Sequence, residues 1–266
     1  MTTPPSNLTA DKAGGVYVYC VARGDGNRLF GPIGLDGRVV YTAGNKEILA
    51  VVHNCSAQPY ESQDPQVVHG WVVAHQNVVL AATEAFGTVL PMAFDVIVRD
   101  SATAGAVGTL KTWLDQKRDR YVQLLDRLAG KAEYGVQVLW DCQAIAAWLA
   151  GTDDELRKMQ DEIRSKPKGL GHLLRQKLAK AMRAAMEKQA DRFAQDFYAR
   201  IRPCMEDLRV EKPKKVDGDR QMLLNLSGLM RIGSRELGRV LDEIEQNKGV
   251  TVRFTGPWPP YSFVGG

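Results

Sequence analysis

Residues Gly15 to Ala22, GVYVYCVA, form a run of β-branched and aromatic side chains without a single charge. Such a run reads as a β-strand buried on both faces, so the chain must supply cover on both sides of it. The chain has 266 residues, enough for two domains at about 150 residues each. With 44% hydrophobic and 25% charged residues it has the material for packed cores, which excludes disordered and fibrous classes. No apolar run reaches the length of a membrane span. The opening MTTPPSNLTADKAGG lacks an apolar signal core, so residues 1–14 are expected to be a disordered tail and the protein to be cytoplasmic. A net charge of +4 is too small to argue for nucleic acid by itself. Cys20, Cys55, Cys142 and Cys204 show no CxxC spacing, so they read as free thiols rather than zinc ligands.

After the opening strand, five glycines between Gly24 and Gly37 mark a loop. RVVYTAG and KEILAVVHN then read as a strand pair turning around Gly44 and Asn45. Asp64 followed by Pro65 is a helix start, with Val68, Trp71, Val72, His75, Val78, Val79 and Ala82 at helical spacing behind it and Gly87 as its end. Val89 to Val98 is extended, with Pro91 placing it at an edge or bulge. Residues 15–100 are thus expected to form an N-terminal mixed α/β domain of order β-β-β-α-β. Ser101 is a possible cap for one helix over 101–130, whose stripe runs from Val107 through Leu110, Leu114, Tyr121, Leu125 and Leu128 to Gly130. That helix is expected to bridge two domains.

The second domain, 131–256, opens on KAEYGVQVLWD, where Tyr134, Val136, Val138 and Trp140 share one face of a strand. Ile145, Trp148 and Leu149 make a short helix, and Thr152 with Glu155 fits a capping box for the next. A long helix over 169–202 carries Leu174, Leu178, Met182, Met186, Phe193, Phe197 and Ile201 as its stripe, and Pro203 ends it. Strands around Leu208 and over QMLLNLSGLMRI follow, then a helix capped by Ser234, then the strand GVTVRFTG. The order β-α-β-β-α-β is a modified ferredoxin-like plan with an enlarged helical crossover, so the fold class is α+β with two domains.

Chemistry-bearing motifs are few. His53, His69, His75 and His172 are the only histidines. His69 and His75 are six apart and do not share a helix face, and His75 sits in an apolar stripe, so structural roles fit best. No HExxH, GxSxG or P-loop pattern occurs, and no catalytic, metal or cofactor residue is assigned. The acidic groups Asp153–Glu155 and Asp242–Glu245 fit a helix cap and a solvated helix face. Gly169 and Gly171 beside Lys166 and Lys168 could hold an anion at a helix start, but the spacing matches no nucleotide fingerprint. Between Lys166 and Arg192 eight basic residues face two acidic ones, with Lys177, Lys180 and Arg183 at the centre. RNA-binding sheets of this topology carry aromatics on a central strand, and QMLLNLSGLMRI has none. The closing segment 257–266 sets Trp258, Tyr261 and Phe263 among Pro257, Pro259 and Pro260. Three prolines favour an extended form, and three aromatics demand a seat on this chain or on a partner.

Several segments, in order, resemble the gas vesicle protein F/L family: VYVYCVA, VLPMAFDVIV with its Leu-Pro, KAEYGVQVLWD, the GLGHLLRQK turn and the closing TGPWPPYSFV. The resemblance spans residues 15 to 264. Family members often carry Arg-Phe-Gly after the Leu-Pro, where this chain has Met92, Ala93, Phe94 and Asp95, and the residues do not separate F from L. The resemblance implies an accessory or minor component of gas vesicles, without catalysis or cofactor. Such a protein would bind the hydrophobic main shell protein and other gas vesicle accessory proteins, limit shell-protein aggregation and support assembly. It also implies an N-terminal α/β domain followed by a modified ferredoxin-like domain. The expected partner surface comprises Trp258, Tyr261, Phe263, Lys177, Lys180 and Arg183; no nucleic acid or membrane partner is expected. Two alternatives stand beside this reading: polyanion (RNA) binding through the helix over 166–192, and an enzyme whose site is assembled from distant residues.

Overall fold

The structure, a computed structural model, describes residues 14–45, 47–101, 103–165, 171–216 and 218–265. The expected disordered tail, apart from Gly14, and the Lys166, Lys168 and Gly169 anion site lie outside the described residues. The chain divides into two compact units. The first comprises Met1–Lys131 together with Pro259–Gly266, and the second comprises Ala132–Trp258.

The first unit is built on strands β1 (Gly15–Arg23), β2 (Leu29–Gly31), β3 (Val40–Gly44) and β4 (Ile48–Cys55), helix α1 (Pro65–Phe86), strands β5 (Val89–Pro91) and β6 (Ile97–Arg99), and helices α2 (Gly105–Gln116) and α3 (Arg118–Leu128). Its sheet runs β2-β3-β4-β1-β5, and β6 also pairs with β1. β1 pairs antiparallel with β4 along one edge and with β5 and β6 along the other. Residues Val16 to Ala22 are all buried, as the opening run requires. The pairing with β4 steps from Val18 opposite Val52 to Cys20 opposite Val51. Tyr19 is therefore the extra residue of a bulge, which flips the alternation that follows. Tyr17, Tyr19, Cys20 and Ala22 consequently all face the core shared with α1, against Val78, Val79 and Ala82. Helices α2 and α3 also pack on strands of this sheet and bury Leu110, Leu114, Tyr121, Leu125 and Leu128.

Several local expectations need correction. The 101–130 stripe is two helices, broken at Lys117 (φ −107°, ψ 6°). One non-helical residue barely disturbs the i, i+3/i+4 spacing, so the stripe reads straight through the break. Ser101 caps neither: the helix begins after Ala104, and the Ser101 hydroxyl accepts from Thr109 Oγ1 at 3.0 Å. Val89–Val98 is two short strands parted by a turn in which Asp95 adopts φ 68°. Strand β2 falls in what glycine content marked as loop. The start of α1 is as expected, with Asp64 accepting from the Gln66 amide at 2.8 Å and Gly87 at φ 76°.

The second unit comprises β7 (Lys131–Asp141), α4 (Cys142–Thr152), α5 (Asp154–Ser165), α6 (Gly171–Ile201), β8 (Asp207–Val210), β9 (Arg220–Arg231), α7 (Glu236–Glu245) and β10 (Val250–Trp258). Its sheet has the order β10-β7-β9-β8. Tyr134, Val136 and Val138 of β7 and Leu224, Leu226 and Met230 of β9 pack with Phe197 and Ile201 of α6 and Leu237, Leu241 and Ile244 of α7. Helices α4 and α5 pack on the α6 stripe through Ile145, Leu149 and Leu156, with Trp140 of β7 in the same cluster. The expected capping box is absent. The Thr152 hydroxyl donates back to the Trp148 carbonyl, while Asp153 accepts from the Glu155 and Leu156 amides at 2.9 and 3.1 Å. Helix α7 has no side-chain cap, so Ser234 does not serve as one.

The closing segment departs from the expected extended form. Pro257 and Trp258 end strand β10, and Tyr261–Val264 form a single helical turn, α8. That turn belongs to the first unit and begins three residues after the second unit ends.

Candidate functional site

Between the first unit's sheet and α1 lies a cluster of rings built by β1, β4 and α1. The Tyr17 oxygen accepts from the Asp95 amide at 3.1 Å and bonds His75 Nδ1 at 2.8 Å. The Tyr19 oxygen accepts from the Leu35 amide at 3.0 Å and bonds His53 Nδ1 at 2.8 Å. Each phenol thus joins a backbone amide to one imidazole nitrogen. His53 Nε2 then meets the Tyr60 oxygen at 3.0 Å. His75 Nε2 is buried and makes no hydrogen bond.

Burial is the main electrostatic force on this cluster. It lowers His53 to about 4, aided by the Arg38 charge. It lowers His75 to about 4, with the Met92 backbone opposing. It lifts Tyr60 to about 12 and raises Tyr17 and Tyr19 further. Both imidazoles are therefore neutral at neutral pH and bound to phenols rather than to a carboxylate. The cluster holds no nucleophile activated by a base. Cys55, which lies in the same core, is pushed up to about 11 by burial. Within the cluster Tyr17 stacks on His53 at 5.1 Å between centroids, lies tilted 4.8 Å from Tyr19 and meets His75 edge-on at 5.8 Å. The cluster holds β1, β4 and α1 together.

The sequence-expected surface residues separate. Phe263 is 1% exposed, in the first unit's core. The Tyr261 hydroxyl donates to Gln76 Oε1 at 3.0 Å, and its ring lies 6.4 Å from His75. Trp258 is 43% exposed and pairs with Glu133 at the end of β10. Lys177, Lys180 and Arg183 are exposed on α6. The segment thus has one seated part and one open part.

The more prominent surface is one that periodicity alone misassigned. From Pro65 to Thr83, α1 has no charged residue. Its fully buried residues, His75, Val78, Val79 and Ala82, lie from the middle onward, and Trp71 and Ala74 pack partly buried against the same core. In the first half Val67, Val68, Val72 and Val73 are 36–47% exposed, although Val68 and Val72 lie on the expected core stripe. The stripe continues past the sheet, so these valines face water. Trp71 beside them is held by its indole N–H, which donates to Asp36 at 2.7 Å. Exposed valine is a poor choice for a helix, because β-branched side chains lose rotamer freedom there. The missing charge over 65–83 was the available signal for an apolar, outward face.

In the second unit a cleft of about 590 Å³ is lined by Trp148, Phe193, Arg192, Asp196, Asn247 and Lys248, among others. It offers two cations and one carboxylate but no imidazole or thiol. Among the described residues no group of three or more His, Cys, Asp or Glu is placed to hold a metal ion, and no helix is long and apolar enough to cross a membrane.

Against this geometry, the family described as "Gas vesicle synthesis protein GvpL/GvpF" matches residues 15–265. The chain belongs to the GvpL/GvpF family. It is 30% identical to gas vesicle protein L1 of Halobacterium salinarum over 258 residues, covering 94% of this chain and 90% of that protein. It is 31% identical to gas vesicle protein L2 of the same organism, covering 99% and 96%. Gas vesicle protein F of Streptomyces sp. (strain CB03234) is 32% identical over 195 residues, covering 73% and 76%. Relatives named F and relatives named L both match. The fold is shared with the crystal structure of GvpF from Anabaena sp. PCC7120, at a TM-score of 0.71 and 17% identity, covering 94% of this chain and 98% of that one. Family membership ties the chain to gas vesicles, and the mixed α+β architecture with two sheets accords with the GvpF structures.

Proposed function

We propose that this protein is an accessory component of gas vesicle assembly that binds the hydrophobic main shell protein, limits its aggregation and supports nucleation of the shell. The observation that carries the reading is the family match over residues 15–265. The surface that supports it is the uncharged first half of α1, where Val67, Val68, Val72 and Val73 stand open to solvent. A subunit with an exposed apolar face aggregates unless that face is covered, and a rigid helix with its own apolar face can cover it. Other gas vesicle accessory proteins are expected partners in the same assembly.

The protein works by binding rather than turnover in this reading. Its buried histidines and tyrosines are committed to one another. The second unit, with sheet order β10-β7-β9-β8 and connections in the order β-α-β-β-α-β, is read as a ferredoxin-like domain with α4 and α5 enlarging the first crossover.

Co-expression with the main shell protein of the same organism, followed by pull-down and sedimentation, tests the reading. The shell protein should be captured and stay longer in the supernatant. The triple variant Val68→Glu, Val72→Glu, Val73→Glu should lose capture while its own thermal melt is unchanged, since these side chains lie outside the core. Absence of capture by the wild-type chain, even with the other accessory proteins present, overturns the assembly role. Full capture by the triple variant overturns the α1 surface.

A further inference from the structure

Three arginines elsewhere in the helical part of the second unit are neutralised locally. Arg157 pairs with Asp154, Arg164 with Asp161 at 3.5 Å, and Arg200 with Asp196 at 3.8 Å and Glu243 at 2.6 Å. The first half of α6 is different. From Gly171 to Met186 it carries Arg175, Lys177, Lys180 and Arg183 and no carboxylate. All four are exposed, and among the described residues none lies in an ion pair. Lys177, Lys180 and Arg183 follow at i, i+3, i+6, a rise of about 4.5 Å per step along one side of the helix. Like charges at this spacing weaken an isolated helix. The arrangement therefore costs the fold something and brings it no internal contact.

What lies between the cations narrows the partner. Leu173 is 61% exposed, and Ala179 and Ala184 are exposed on the same half of α6. Two small residues let another backbone approach closely, and a leucine adds an apolar anchor. The aromatics of α6, Phe193, Phe197 and Tyr198, sit in its second half and pack inward. Recognition of unpaired bases rests on several aromatic stacking platforms, and the first half of α6 offers only the ring of His172. We propose that the first half of α6 is a docking surface for an acidic amphipathic helix of a protein partner, with carboxylates meeting Lys177, Lys180 and Arg183 and apolar side chains lying over Leu173, Ala179 and Ala184. The proposal stands on α6 alone and holds whether or not α1 binds the shell protein.

The test uses the full chain and fluorescence anisotropy with two labelled probes: a 21-residue helical peptide repeating Glu at i and i+4 with one Leu per turn, and a 20-nucleotide single-stranded RNA. The peptide should bind, and affinity should fall about tenfold or more between 50 and 300 mM salt as the pairs are screened. The charge-reversed variant Lys177→Glu, Lys180→Glu, Arg183→Glu should lose at least as much. The neutral variant with Ala at the same three positions should fall between the two, and helical circular dichroism should match wild type in both. Lys188→Glu, beside Glu187, should leave binding within about twofold. Peptide binding that is absent, or equal in wild type and the reversed variant, overturns the proposal, as does tighter binding of the RNA than of the peptide.

Discussion

Acidification below pH 6.5 should loosen the first unit, because two neutral imidazoles are sealed inside it. His53 and His75 are 0% and 4% exposed, and burial lowers each from 6.5 to about 4. The folded state therefore binds fewer protons than the unfolded chain between these values. Stability contributed by the neutral rings is complete above pH 6.5 and drains as pH falls towards 4. Each unit of pH in that window costs about 1.4 kcal/mol per histidine. Two histidines between pH 6.5 and 5 thus remove about 3 kcal/mol, the slope being only half-developed at pH 6.5, a large part of the 5–15 kcal/mol typical of a domain. The geometry gives the same sign: an imidazolium donates from both ring nitrogens, and His75 Nε2 is buried with no acceptor. Urea unfolding followed by circular dichroism at pH 7.5, 6.5, 5.5 and 5.0 measures the slope. Histidine ring resonances in a parallel NMR titration should show both rings neutral down to pH 5. A stability that stays flat within about 1 kcal/mol from pH 7.5 to 5 would refute the reasoning, as would an equal slope in the double variant His53→Gln, His75→Gln.

Four further outcomes follow from the packing. Phe263→Ala empties a fully buried position and should cost about 3–5 kcal/mol by urea unfolding, unless the turn alone detaches, in which case hydrogen exchange will rise only near Tyr261–Val264 and β5. Asp153→Ala should cost about 1 kcal/mol by thermal melt, whereas Thr152→Ala should cost little, since the amides at the α5 start bond Asp153. Gly44→Ala should destabilise the β3–β4 hairpin by about 1–3 kcal/mol, because a Cβ there would sit 2.5 Å from the Ile48 oxygen and Leu49 Cα, backbone atoms that cannot swing aside. In a thiol-reagent time course Cys142 and Cys204, which are half-buried, should react before Cys20, which is fully enclosed with its thiol raised by burial.

The parts of the fold that periodicity carries were legible. A strand buried on both faces shows itself as GVYVYCVA, and a strand with one core face as KAEYGVQVLWD. Features set by a single residue were not. The bulge at Tyr19 changes which side chains face α1, yet the run around it is apolar on both sides, so no pattern marks the step. The break at Lys117 leaves the stripe intact. Thr152 and Asp153 are both good caps, and the choice falls to whichever side chain the Trp148 carbonyl does not engage. In α1 the apolar spacing was read as core throughout, but sequence does not reveal where the sheet stops, and Val68 and Val72 lie beyond it. The closing aromatics signalled a need for burial; their division, Phe263 in and Trp258 out, depends on how far the chain travels after β10.

The seat of α8 also sets an order in time. The first unit joins residues that precede the second unit to Tyr261 and Phe263, which follow it. On a ribosome adding about 5–20 residues per second, the 128 positions from Lys131 to Pro259 take about 6–26 s to synthesise. Throughout that interval the nascent first unit lacks the piece that packs beside β5 and His75. Its core closes only after the whole second unit has been made, so a chain cut short within the second unit leaves an unfilled apolar site in the first, open to quality-control proteases.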